Sequence, residues 1–240
     1  MTGAAARPPH FDRGLLEPLD EPVRRYFTHA VGDRATLAGG VRLRLSGQIR
    51  VGVWLRFTSV WTGDGHSFCW RAAAGPGRLR ALAVCDQFAD GCGSMDVRLR
   101  SPFASVPALR LLHAENADTA RSGAGRAALE ALWTPASLLP GRGVSWRAES
   151  EQRILAAWDV PPERPELQID IDARGAVRSW WALRWRDRRS GYVPFGAIVH
   201  EERTFGSMTV PSRLTAGWGF GADRWTPFFR CEVEQFEQVA

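Results

Sequence analysis

From Val41 to Phe57 the odd positions hold Val41, Leu43, Leu45, Ile49, Val51, Val53, Leu55 and Phe57, while Arg42, Arg44, Ser46, Gln48, Arg50 and Arg56 take even ones. Side chains that alternate with a period of two point to opposite faces of an extended chain. The segment is therefore expected as half-buried strands. Gly47 and Gly52 fall inside the run, and glycine weakens a straight strand. A bulge, bend or hairpin is expected there, and with it a curved sheet.

Shorter alternating runs follow at Phe68 to Ala72, at Leu79 to Val84, and through Met95, Val97 and Leu99, each bounded by turn residues. Strands are expected again at Val144 to Arg147 and Arg153 to Trp158. A hairpin follows, with Leu167, Ile169 and Ile171 on one face and Asp172-Ala173-Arg174-Gly175 turning the chain into Val177 to Trp185. Three more segments, around Ala197 to Arg203, Val210 to Trp218 and Phe228 to Phe236, complete a strand-rich C-terminal half.

Helical periodicity occurs in two places. After Pro22, the residues Val23, Tyr26, Phe27 and Ala30 share one helix face and Arg24 and Arg25 the other, so a short amphipathic helix should end near Gly32. Between Pro102 and Pro140, Val106 to Leu112 is apolar and reads as helix. Arg126 to Trp133 repeats the helical spacing, and Thr134-Pro135 reads as an N-cap with proline at the first helical position.

Strands joined by short loops, without alternating helices, make an antiparallel sheet. The expected class is α+β: a large, curved, mainly antiparallel sheet, an open or half barrel, with a helical insert at 102–140 covering one side. At 240 residues and 45% hydrophobic content the chain fills one large core or two small ones. We read it as a single domain, 1–240, whose first twenty residues are a flexible N-terminal segment.

The formal net charge is +5, yet every positive side chain apart from histidine is arginine, and the arginines are dispersed. Arg184, Arg186, Arg188 and Arg189 come nearest to a patch that could meet a polyanion. Asp187 interrupts them and no nucleic-acid motif accompanies them, so a solvated hairpin tip is the preferred reading and no nucleic-acid partner is expected. Cys69, Cys85, Cys92 and Cys231 lack zinc-site spacing and the density of a disulfide framework. No metal and no cofactor are expected. With no apolar leader at the N-terminus and no segment of membrane-span length, the expected location is the cytoplasm.

The densest aromatic cluster is Trp218-Gly219-Phe220-Gly221-Ala222-Asp223-Arg224-Trp225-Thr226-Pro227-Phe228-Phe229-Arg230. Together with Leu19 to Phe27, Trp54-Leu55-Arg56-Phe57, Phe68 to Ala72, Asp86 to Met95, Leu129 to Leu139 and Val144-Ser145-Trp146, in order and spacing, it resembles an uncharacterised bacterial domain-of-unknown-function family. Ser150 departs from the pattern, standing about where that family often carries an acidic residue. The resemblance implies a strand-rich, partly open barrel similar to those of bacterial lipoprotein carriers, and no agreed reaction.

Two carboxylates attract attention. Asp86 follows the apolar run Leu82-Ala83-Val84-Cys85, and Glu130 lies between Leu129 and Trp133 on a predicted helix. Facing one cavity in apolar surroundings they would form an acid and base pair. The plainer alternative has Asp86 bonding turn amides before Gly91 and Glu130 pairing with an arginine. His200 and Glu201 point to opposite faces of a strand and do not meet. No nucleophile elbow, metal signature or dinucleotide fingerprint is present.

Eleven tryptophans exceed what filling a core normally needs. The leading expectation is a soluble binding protein for a small hydrophobic or lipid-like molecule, held between sheet and insert by Trp70, Trp133, Trp218 and Arg224. Two alternatives stand beside it: a cofactor-independent enzyme of cyclase or isomerase type using Asp86 and Glu130, and a protein interaction module that docks through its aromatic C-terminus. Oligomeric state is left open.

Overall fold

The computed structural model describes residues 10–37, 39–76, 80–101 and 107–239. Its first half is a meander of β1 (Gly40–Val51), β2 (Val53–Gly63), β3 (Phe68–Gly75), β4 (Leu82–Ala89), β5 (Cys92–Leu99) and β6 (Leu109–Glu115). Its second half is a meander of β7 (Ser145–Ser150), β8 (Arg153–Ala157), β9 (Glu166–Ile171), β10 (Val177–Asp187), β11 (Gly191–Phe205), β12 (Met208–Trp218) and β13 (Thr226–Val239). The meanders join where β1 pairs with β13. The result is one open sheet of thirteen strands among the described residues, in the order β6-β5-β4-β3-β2-β1-β13-β12-β11-β10-β9-β8-β7. Neighbouring strands run antiparallel throughout, as the alternation predicts.

Burial follows the alternation. Val41, Leu43 and Leu45 are buried while Arg42 and Arg44 are exposed. Gly52 is the turn between β1 and β2, at a φ of 70° that other residues rarely adopt. Gly47 serves a different purpose: a Cβ there would stand 2.0 Å from the Arg230 carbonyl oxygen, so its lack of a side chain lets β13 close on β1.

Topology dictates what lies across the sheet. The chain leaves one edge, β6, and must re-enter at the opposite edge, β7. A flat sheet of thirteen strands at about 4.8 Å spacing would be about 58 Å wide. The crossing is made by α2 (Ala117–Glu130), whose fourteen residues span only about 21 Å. The sheet therefore curls, and α2 lies over its concave face, packing on β5 and β4 from one arm and β10 from the other. Its buried side is built of Ala120, Gly123, Ala124, Gly125, Ala127 and Ala128. Small residues let the helix sit close to the strands: a Cβ on Gly123 would meet the Phe88 ring at 2.9 Å. Asn116 caps the helix, accepting from Thr119 N at 3.0 Å.

The first helix, α1 (Glu21–Ala30), buries Pro22, Val23, Tyr26, Phe27 and Ala30, the face its spacing predicts. It packs on β7, β8 and β12, with Trp146 against Tyr26 and Phe27. Asp20 ties this end to β7 by accepting from Ala148 N at 2.6 Å.

Two expectations are corrected. The apolar run Val106 to Leu112 is not helical where it is described: Leu109 to Leu112 belong to β6, which pairs along the free edge of β5. A short apolar run suits either state, and here the unpaired edge decides. Of the segment read as flexible at 1–20, residues 1–9 lie outside the described residues; in the remainder two side chains are anchored and most others are exposed. Phe11 and Leu16 are 4% and 3% exposed, in the core, and His10 bridges Thr36. The helical part of the insert is accordingly α2 with the 3-10 turns at Ala131–Trp133 and Pro135–Leu138. Thr134 precedes Pro135 as expected, but its hydroxyl donates back to Ala131 O and does not cap the turn.

Candidate functional site

Between α2 and the concave face lies a cavity of about 560 Å³, inside the range of about 300–1,000 Å³ typical of small-molecule sites. One arm of the sheet supplies Trp70, Val84, Met95 and Val97; the other supplies Leu214, Ala216, Trp218 and Phe228. The helix contributes Ser122, Arg126, Leu129 and Glu130. The cavity reaches the surface by the β1–β2 tip, where its lining residues Arg50 and Val51 are exposed. Most of the lining is aliphatic or aromatic because these positions are the inward half of each alternating strand. Apart from Arg50 at the mouth, the charged lining residues Asp86, Arg126, Glu130 and Arg184 form one corner.

Arg126 is the centre of that corner. Its Nε donates to Glu130 Oε1 at 2.7 Å, one helical turn along α2, and its Nη1 donates to Asp86 Oδ2 at 2.5 Å on β4. Trp61 Nε1 donates to the second Glu130 oxygen at 2.7 Å. The guanidinium stacks on Phe68 and Trp70, with centroid distances of 4.5 and 5.1 Å. Burial by itself would push Arg126 down, but attraction first from Glu130 and then from Asp86 outweighs it and holds the guanidinium above its ordinary range. Side-chain exposures of 10% for Asp86, 14% for Arg126 and 15% for Glu130 mark this as a buried ionic cluster.

The two carboxylates thus face one cavity, and a single arginine holds both. Glu130 pairs with an arginine, as the plainer alternative has it, but Asp86 does not bond turn amides; it is Arg126's second partner.

Arg184 completes the polar corner. It lies on β10 in step with Trp180 and Ala182, the buried side of that strand, and lines the cavity; Arg186, beyond the irregularity that follows Trp185, is exposed, as are Arg188 and Arg189. The solvated-tip reading is corrected for this one residue. Its Nε donates to Ser122 O at 3.0 Å and its Nη2 to Ser122 Oγ at 3.1 Å. Phe195 and Trp218 lie 5.0 and 5.2 Å from it, centroid to Cζ. No carboxylate touches it among the described residues. Burial, and secondarily Arg126, pushes it down to about 10 against the pull of Asp86 and Glu130.

The remaining predicted site residues divide. Trp70, Trp133 and Trp218 line the cavity, joined by Trp180. Trp70 and Trp133 are core residues at 3% and 4% exposure. Trp70 donates to Ser59 Oγ, and Trp133 to Pro211 O while meeting Trp61 edge-on. Trp218 is half-buried, its ring edge-on to Phe195 at 4.9 Å. Arg224 sits on the exposed turn after β12, outside the lining. His200 bonds Thr215, and Glu201 pairs with Arg213, so the two act apart as expected. Arg126 and Arg184 were missed, although both had a signal: Arg126 stands four residues before Glu130, and Arg184 shares strand parity with Trp180.

Fold and site together define an open antiparallel half-barrel whose concave face is bridged by a helix over an apolar cavity with one ionic corner. Residues 9–231 match the profile of a family of unknown function, DUF6544, and the chain belongs to that family. No curated protein matches the chain. Among the solved structures to which it is similar are three with the following likeness. With a LolA superfamily protein from Nitrosomonas europaea it shares 8% identity over 95% of this chain and 93% of that one, at a TM-score of 0.41. For a putative outer membrane lipoprotein-sorting protein domain from Vibrio parahaemolyticus the values are 9%, 94%, 91% and 0.42. For a DUF1329 family protein from Desulfovibrio piger they are 8%, 84%, 86% and 0.40.

Proposed function

We propose that the protein binds a small hydrophobic or lipid-like molecule in the cavity between α2 and the sheet. The observation that carries the proposal is the cavity itself. Filling about 560 Å³ with side chains would have gained packing energy, since even small voids cost stability. The chain instead keeps valine, alanine and methionine at inward positions where larger residues would close the space. An apolar occupant recovers the lost contacts and removes its own apolar surface from water.

The test is extraction of the purified native protein and mass spectrometry of the organic phase. One class of apolar molecule, near one per chain and absent after denaturation and refolding in detergent-free buffer, is the expected result. A protein that carries nothing and takes up nothing from a lipid extract would refute the proposal.

A further inference from the structure

Within the proposed cavity, we infer that the ligand is an amphiphile with an anionic head, and that Arg184 is the residue that receives the head. The inference rests on the binding-protein reading above and goes beyond it by assigning chemistry to one end of the ligand.

The two cavity arginines, both partly buried, differ in how they are compensated. Arg126 donates to two carboxylates, through Nε to Glu130 and Nη1 to Asp86, so its charge is paired. Arg184 contacts only the neutral carbonyl and hydroxyl of Ser122, and its Nη1 makes no hydrogen bond among the described residues. The side chain that carries it lines the cavity. A buried charge is stable when it is paired and hydrogen-bonded. Asp86 and Glu130 offset Arg184 only from a distance, and burial still dominates over them. An anion touching Nη1 and Nη2 would supply the missing partner, and the planar fork suits a carboxylate or a phosphate in two-point contact.

Position and orientation support the same assignment. Ser122 anchors the guanidinium from α2, while Phe195 and Trp218 pack against it from the sheet. The side chain is thus held from both walls. Beside it the lining is apolar, with Phe195 and Trp218 on the guanidinium and Phe228 against Phe195. A head at Arg184 leaves a hydrocarbon body to occupy that part, whereas a wholly apolar ligand would cover a charged group with hydrocarbon.

The experiment is displacement of a hydrophobic fluorescent dye from the full chain by dodecanoate, dodecyl phosphate, dodecan-1-ol and inorganic phosphate. The wild type should bind the two anionic amphiphiles about tenfold or more tighter than the alcohol, the gain expected of one charged hydrogen-bonded contact. Inorganic phosphate should not displace the dye. Arg184→Met should erase the preference by weakening the anions alone, Arg184→Lys should keep part of it, and Arg188→Met, which lies on the exposed tip, should change nothing. Equal affinity for acid and alcohol in the wild type, with the dye bound, would overturn the inference while leaving the cavity reading intact. Displacement by inorganic phosphate alone would overturn the amphiphile, and failure to bind dye or any amphiphile would remove the binding-protein reading itself. Should Arg184→Met fail to fold, the wild-type comparison and Arg184→Lys still decide.

Discussion

Replacing Arg126 by methionine removes a cation of similar length and leaves Asp86 and Glu130 side by side without it. Both carboxylates are nine-tenths or nearly so enclosed, at 10% and 15% exposure, so solvent does little to replace the lost partner. Breaking a buried ion pair from one side costs about 3–5 kcal/mol, because an uncompensated charge stays behind. Here two are stranded, although Arg184 lies near and Trp61 continues to donate to Glu130. We expect a loss of about 4 kcal/mol at pH 7 in urea unfolding. A triple variant, Asp86→Leu, Arg126→Met and Glu130→Leu, should recover most of the loss, because apolar groups leave no charge unpaired. A loss below about 1 kcal/mol for Arg126→Met, the range of exposed pairs, would refute the view that this cluster is enclosed and mutually dependent.

Trp218→Ala deletes a half-buried ring that packs edge-on against Phe195 and borders the cavity, so it should destabilise by about 2 kcal/mol, short of the about 3–5 for a fully buried aromatic; a loss above 4 would mean the ring is core. Burial, with Glu130 and Glu232 adding to it, pushes the Cys231 thiol well above its usual range, and burial with Glu202 does the same for the Tyr26 hydroxyl. A raised acid keeps its proton in the folded chain while the unfolded chain loses it. Stability from these groups is therefore whole below about pH 8.5 and falls as pH rises, by at most about 1.4 kcal/mol per pH unit for each. Chemical denaturation from pH 8 to 10 should show the fall, and thiol alkylation should reach exposed Cys92 while sparing Cys231 until unfolding; a flat stability profile, or prompt labelling at Cys231, would contradict it.

The alternation at 41–57 was enough to reach a curved antiparallel sheet, because a period of two admits no other regular structure once one face is apolar. Helix α1 was equally legible from Val23, Tyr26, Phe27 and Ala30. The run ending at Leu112 was not, since Leu-Arg-Leu-Leu carries no period long enough to separate strand from helix, and only the free edge of β5 settles it. The meeting of β1 with β13 and the passage of α2 between opposite edges depend on contacts far apart in sequence, which local patterns do not encode. Asp86 and Glu130 were found from their apolar neighbours. Their shared partner Arg126 was passed over, although its spacing from Glu130 is that of an i,i+4 pair. Arg184 stands in one run with the three outward arginines that follow it; its parity with Trp180 and Ala182 points inward, but Arg186 and Arg188 share that parity, and the irregularity in β10 after Trp185, which ends the alternation, leaves no mark in the sequence.

The central claim is that the space under α2 is a binding site. Titrating a hydrophobic dye into the protein, with Val97→Trp as the variant that fills the space from β5, tests it most directly. Val97 is half-buried at the cavity wall, so the larger ring has room to occupy without displacing the packed core. The wild type should bind one dye per chain, with quenching of tryptophan emission, and the variant should bind at least about tenfold more weakly at an unchanged unfolding midpoint, as expected when an indole takes the ligand's place. Equal dye affinity in the two folded proteins would show that the dye, and by extension any apolar ligand, binds elsewhere.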